Sequence, residues 1–235
     1  MKKGTTKFNY YFNFIKNSPH FSGLSNKIIE EILPEFSIEN WKKGDSPFNS
    51  ELTKNKFYLI TKGRVKVFQI NSANGKEYII EILASGNIFD IICLLDSQEH
   101  HVFTEALDDI EALSVPMKLA KEWINKHPEF NKTLLPYLGN QMRFFEENAT
   151  DLALLNTWSR TIKLFVKDVN TNLHPSQLKL INNLSHTDLA NLIGSARNVL
   201  NRHLQKLKED KVIEVERNHI EIKNIEALLN KFKNS

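Results

Sequence analysis

The sequence predicts an α+β protein: an antiparallel β-roll, then a long helix, then a compact helical domain that ends in a short hairpin. Three observations carry this. Short segments rich in Val, Ile, Phe and Tyr, separated by turn residues, fill the stretch from Phe57 to Val115. The apolar period then turns helical for about three heptads. The last third holds short helical segments followed by two alternating runs.

The chain has 235 residues, 41% of them hydrophobic and 25% charged, a globular composition with length enough for two cores. Lys2 and Lys3 are followed by Asn, Tyr and Lys rather than by an apolar leader, and no stretch approaches about 20 apolar residues. A cytoplasmic protein with no membrane partner is expected. Cys93 is the single cysteine, which excludes an intrachain disulfide and argues against a cysteine-ligated cluster or zinc site, so no cofactor is expected. It lies in the apolar run Ile91 to Leu95 and reads as a buried thiol. Net charge is +3, but its distribution is uneven. From Thr157 onward there are 13 Lys and Arg against 8 Asp and Glu, which leaves 18 against 20 before it. Positive charge in the last third is the footprint of a region that meets phosphates.

The strands are expected at Phe57 to Thr61, Arg64 to Ile70, Glu77 to Leu83, His101 to Leu107 and Glu111 to Val115. Lys62-Gly63, Asn74-Gly75 and Ser85-Gly86-Asn87 separate them, and Asn74-Gly75 is a hairpin signal because both residues tolerate positive φ. Close spacing of short strands implies a small roll or barrel. After Pro116, helical period runs through Lys118 to Lys126 and then from about Asn131 to Thr157. Leu134, Leu138, Gln141, Phe145, Asn148, Leu152 and Leu155 recur at alternating spacings of four and three, a heptad seam suited to pairing two copies of the chain. The competing reading is an amphipathic helix packed on its own domain. Domain limits follow as 1–130 for the roll with flanking helices, 131–158 for the long helix and 159–235 for the C-terminal domain.

In the last domain helices are expected at Arg160 to Val169 and His174 to Asn183, with a loop from Thr171 to Pro175. Ser185 with Asp188 three residues on forms a capping-box-like start to a short helix through Ile193. Gly194 supplies the left-handed residue that reverses the chain, and Ser195 is placed to cap the next helix, Ala196 to Lys208. Leu189, Ala190, Ile193, Val199, Leu200, Leu204 and Leu207 supply the packing faces. The opposite face carries Arg197, Asn198, Asn201 and Arg202, with Gln205 and Lys206 beyond. Arg forks onto guanine and Asn onto adenine in a major groove, so these four are the candidate base readers. Val212 to Val215 and His219 to Ile222 alternate around Arg217-Asn218, a two-stranded wing with a basic tip. Ser185, His186, Thr187, Ser195, Lys206, Arg217 and Asn218 are the candidate phosphate contacts. This is a winged helix-turn-helix, and its expected partner is double-stranded DNA.

On these residues the chain resembles the cyclic AMP receptor protein and fumarate-nitrate regulator (CRP/FNR) superfamily along nearly its whole length. Lys62 to Val67, Asn74 to Glu77 and Ser85 to Asn87 resemble that family's cyclic-nucleotide-binding-like β-roll. Leu152 to Leu155 followed by Arg160 resembles the end of its dimerisation helix, and Leu189 to Arg202 its helix-turn-helix. Arg197, Asn198 and Arg202 fall on the positions that usually read bases there, with Asn198 where many relatives carry Glu. The resemblance implies a homodimeric transcription regulator acting on a two-fold symmetric site, with RNA polymerase as a partner. In cyclic-nucleotide-binding members a Gly-Glu pair holds the ribose and an Arg-Ser or Arg-Thr pair the phosphate. Here those positions carry Asp90-Ile91 and His101-Val102, and the base-touching positions of the long helix carry Phe145 and Glu146. An aspartate without an arginine repels a cyclic phosphate. The effector pocket, if Asp90, Ile91, His101, Val102 and Phe145 form one, is therefore expected to take something other than cyclic AMP, a small molecule left unidentified.

His100-His101 offer imidazoles to a metal or haem, with Glu99 as the one carboxylate beside them, and the competing reading is a pair of surface residues. No P-loop, G-x-S-x-G, H-E-x-x-H or dinucleotide fingerprint occurs, so an enzyme is not expected. The alternative is a ligand-binding or protein-interaction adaptor that uses the winged helix for protein contacts. Such a face would expose aromatics and leucines rather than amides and guanidinium groups.

Overall fold

The computed structural model describes residues 1–18, 20–21, 23–48, 55–170, 180–216 and 219–233. Contacts divide the chain into two units, Met1–Phe68 with Ile82–Phe144, and Gln69–Glu81 with Phe145–Ser235.

The first unit opens with α1 (Thr6–Asn17) and α2 (Asn26–Ile32), capped by the hydroxyls of Thr5 and Ser25, and a 3₁₀ turn at Leu33–Glu35. Strands β1 (Ser37–Trp41), β2 (Lys56–Lys62), β3 (Val65–Ile70), β4 (Glu77–Leu83), β5 (Ile88–Phe89), β6 (Phe103–Ala106) and β7 (Ile110–Pro116) follow, with α3 (Ile91–Asp96) between β5 and β6. They form two sheets, ordered β1-β7-β2-β5 and β4-β3-β6. The pairings of β7 with β1 and β2, of β2 with β5 and of β3 with β6 are antiparallel, with Phe57 opposite Val115 and Val65 opposite Ala106.

Strand β2 shows why alternation is only partial in the sequence. Phe57 and Leu59 enter one core with the helices, while Tyr58 and Ile60 enter a second core between the sheets. Strand β7 does the same with Leu113 and Val115 on one side and Ile110 and Ala112 on the other. A strand covered on both faces reads as a nearly continuous apolar run. The Lys62-Gly63 turn needs its glycine: φ is +84°, and a Cβ would lie 2.6 Å from the Asp109 carbonyl. Arg64 grips Asp108 through two bonds of 2.6 and 2.9 Å, which holds the Asp108 carboxyl below its usual range.

The expected strands at Phe57, Arg64, Glu77 and Glu111 are present with small end shifts, whereas His101 and Val102 fall outside β6. Strand β1 lacks a sequence signal because its polar Glu39 is satisfied only tertiarily, by Lys56 at 2.7 Å and the Ser114 hydroxyl. Of Asn74-Gly75 only Gly75 takes positive φ, and the turn is closed by Asn71, whose amide donates to the Lys76 carbonyl and whose own carbonyl accepts from the Gly75 amide.

Helix α4 (Met117–Lys126) precedes α5 (Glu129–Leu154), which passes through Pro136 and ends three residues before the expected Thr157. The reason is Asn156, whose side chain accepts from the Ser159 amide at 2.9 Å and opens α6 (Thr157–Asn170). Two ends of the expected seam are placed otherwise. Leu134 is 4% exposed and belongs to the first unit's core, with Leu138 packed against it, and Leu155 lies beyond the helix end. The outward apolar stripe is Leu135 (64% exposed), Met142 (72%), Phe145 (37%), Ala149 and Leu152. Phe145 and Leu152 belong to both this stripe and the expected seam, and Gln141 and Asn148 are half-buried beside it.

The second unit continues with α7 (His186–Leu192), α8 (Arg197–Glu209), the β8 (Ile213–Glu216) and β9 (His219–Ile222) hairpin, and α9 (Ile225–Lys233). The expected helix from His174 falls largely outside the described residues. Its end at Leu180 to Asn183 is a turn, with Asn183 at φ +60°.

Candidate nucleic-acid interface

Helix α7 begins as the sequence predicts. The Ser185 hydroxyl accepts from the Asp188 amide at 3.0 Å, and it also donates to the Asp188 carboxylate at 2.6 Å. Leu189 and Ala190 are buried against α8. Gly194 takes φ +62°, and a Cβ there would lie 2.8 Å from Leu152 Cδ2, so the turn combines a left-handed backbone with close packing.

Ser195 does not cap α8. Ala196 occupies that place without a side-chain bond, while Ser195 is buried and its amide donates to the Ala190 carbonyl. The amide closes the turn and the side chain is buried with it.

Leu200, Leu204 and Leu207 bury one face of α8. Arg197, Asn198, Asn201 and Arg202 lie on its remaining surface. Arg197, Asn198 and Arg202 make no side-chain hydrogen bond or ion pair with the described residues. Asn201 is held: its Oδ1 lies 2.8 Å from His186 Nδ1. Gln205 donates to Glu209 at 2.9 Å. Thr187 is exposed. Lys206 sits 4.7 Å above the Trp158 ring, a cation–π contact that ties this candidate phosphate cation to α6. The hairpin pairs Ile213 with Ile222 and Val215 with Ile220, and Glu216 with His219 at its tip side. Arg217 and Asn218 lie outside the described residues.

One cluster went unread in the sequence. His203, on α8, meets the Trp158 ring edge-on at 5.4 Å and bonds Thr161 Oγ1 through Nδ1 at 2.9 Å. The Thr161 hydroxyl already donates to the Thr157 carbonyl, so the ring nitrogen is the donor. Burial, with Arg202 and Lys206 nearby, pushes the His203 pKa down. The signal was its place between Leu200 and Leu204 on the apolar face.

Of the expected effector residues, Asp90, Ile91 and Val102 are employed within the first unit. Asp90 is buried with φ +89° and caps α3, and its carboxylate accepts from the Cys93 amide and thiol and lies 3.2 Å from His100 Nδ1. Ile91 is in the core, Val102 is half-buried against the roll interior, and His101 is exposed. Cys93 is buried, and desolvation with the Asp90 carboxylate pushes its thiol up to about 12. Phe145 belongs to the second unit, on the exposed stripe of α5. Among the described residues no three metal-ligating side chains converge.

A winged helix-turn-helix with an outward guanidinium and amide face, in one chain with a two-sheet roll and a long helix, defines a DNA-binding regulator built on a sensor-type domain. Comparisons agree. Residues 38–127 match the cyclic nucleotide-binding domain profile and residues 157–231 the Crp-like helix-turn-helix domain profile. The chain is 26% identical over 200 residues to a global nitrogen regulator of Synechococcus elongatus, covering 83% of this chain and 89% of that protein. It is 24% identical over 214 residues to a cyclic AMP receptor protein of Thermus thermophilus, covering 91% and 96%. The solved structure of FixK2 from Bradyrhizobium japonicum superposes with a TM-score of 0.72 at 16% identity, covering 83% and 96%. The chain belongs to the CRP/FNR superfamily and is a DNA-binding transcription regulator of that type.

Proposed function

We propose that the protein acts as a homodimer on a two-fold symmetric DNA site, without catalysis and without cyclic AMP as its signal. The observation that carries DNA reading is the outward set Arg197, Asn198, Asn201 and Arg202 opposite the buried leucines of α8. Arg197 and Arg202 reach base edges, while Thr187 and Lys206 meet phosphates beside them. Pairing through the apolar stripe of α5 spaces two such helices about one helical turn of DNA apart. The division into residues 1–130, 131–158 and 159–235 then assigns sensing, pairing and DNA reading in turn. RNA polymerase is the proposed protein partner and the cytoplasm the proposed location; no helix of the described residues is long and apolar enough to cross a membrane.

Asp90 supports the exclusion of cyclic AMP. The buried Asp90 carboxylate, already engaged by the Cys93 amide and thiol and lying against His100, has little capacity left for a ribose hydroxyl. Isothermal titration with cyclic AMP should show no binding at micromolar concentrations; affinity like that of a nucleotide-gated relative would sink this part. DNA selected from random duplexes by the purified protein should contain two inverted half-sites, and enrichment of no motif would overturn the reading as a whole.

A further inference from the structure

We infer that His186 is a positioning residue for base recognition: it holds the Asn201 carboxamide by its oxygen, so that this side chain offers a base edge chiefly donors and discriminates against adenine. This rests on the reading of α8 as the base-reading helix.

His186 is the first residue of α7 and Asn201 the fifth of α8, and their side chains meet at 2.8 Å between Nδ1 and Oδ1. An amide oxygen only accepts, so the ring nitrogen carries the proton. The other ring nitrogen, Nε2, is buried and has no partner among the described residues. Neither nitrogen is thus presented to a phosphate, which removes His186 from the phosphate contacts the sequence suggests and gives it a different task. The ring lies in a cleft with Leu204, Gln205, Lys208 and Val215, between α8 and the wing. To swing its oxygen outward Asn201 must give up this hydrogen bond, while the ring stays fixed by its buried Nε2 edge.

The consequence is chemical. A side-chain amide reads adenine with two bonds, donating to N7 and accepting from the N6 amine. With Oδ1 turned to His186 and one of its two lone pairs taken, Asn201 meets a base edge chiefly through the two Nδ2 hydrogens. Guanine offers N7 and O6 as adjacent acceptors and thymine offers O4, so both remain readable by donors alone. His186 therefore narrows Asn201 from an adenine reader to a reader of acceptors.

The test uses the full-length protein and duplexes carrying each base pair at each half-site position in turn. His186→Ala should raise the adenine-to-guanine affinity ratio at one position about fivefold or more, the lower end of what one bidentate pair discriminates. His186→Phe keeps the ring without the donor and should do the same, while His186→Gln restores an amide donor and the original ratio. In an Asn201→Ala background His186→Ala should leave the ratio unmoved. Thermal unfolding of each variant reports whether it folds, and the His186→Phe protein carries the test where the His186→Ala protein does not fold. Should Asn201→Ala shift the ratio while neither His186→Ala nor His186→Phe does, His186 has no positioning role. Should Arg202→Ala also leave every ratio unchanged, base reading by α8 itself fails, which is a separate result.

Discussion

Replacing Phe145 by Asp removes an aromatic ring from the middle of the outward stripe of α5, where 37% of the residue is exposed in the single chain. A phenylalanine side chain carries about 200 Å², so about 75 Å² is available for a partner, worth about 2 kcal/mol at about 25 cal/mol per Å². Two-fold symmetry counts the loss twice, about 4 kcal/mol, which weakens the dimer by nearly a thousandfold. Sedimentation equilibrium over a range of protein concentrations should show monomers where the parent is dimeric, and affinity should fall more for a duplex with two half-sites than for one with a single half-site. The register is tested in parallel. Met142→Ala should weaken the dimer while Gln141→Ala leaves it, because Met142 is 72% exposed on this stripe. An unchanged dimer in Phe145→Asp would refute the stripe as the pairing face, and the opposite order for Met142 and Gln141 would restore the seam through Leu134, Gln141 and Asn148.

Arg202→Ala should cost about 1 to 3 kcal/mol on the selected site and flatten discrimination there, whereas Arg217→Ala should weaken all sequences alike and make the salt dependence shallower by about one unit; a salt series on specific and scrambled duplexes separates the two. Gly194→Ala places a side chain at φ +62° and against Leu152, so it should lower stability by about 1 to 2 kcal/mol and specific DNA affinity with it, read by thermal unfolding and binding titration. The folded-state pKa of His203 is depressed, so the unfolded chain binds its proton first as pH falls. Stability should therefore drop on acidification through and below the ordinary imidazole range, and less steeply in His203→Gln; equal slopes for the two proteins would remove His203 from that account.

Much of this was legible in the chain itself because it depends on neighbours in sequence. The Ser185–Asp188 cap, the Gly194 reversal, the strand run from Phe57 to Val115 and the alternation of the wing are set by backbone geometry over a few residues, and the structure has each of them. The basic and amide face of α8 follows from the same helical spacing that places Leu200, Leu204 and Leu207 inward.

What only the tertiary structure decided involves partners far away in sequence. Helical period marks an apolar stripe to within one residue, but whether Leu134 or Leu135 turns outward depended on the first unit's core claiming Leu134. Asp90 looked like a ligand-facing residue until Cys93 and His100 took its oxygens, and Ser195 like a cap until its amide was drawn to Ala190. Nothing in the local sequence around His186 announces Asn201, fifteen residues on. A side chain's type states which bonds it is able to make, and packing settles which it makes, because a hydrogen bond exists only within about 3 Å and the chain must fold before those distances are determined.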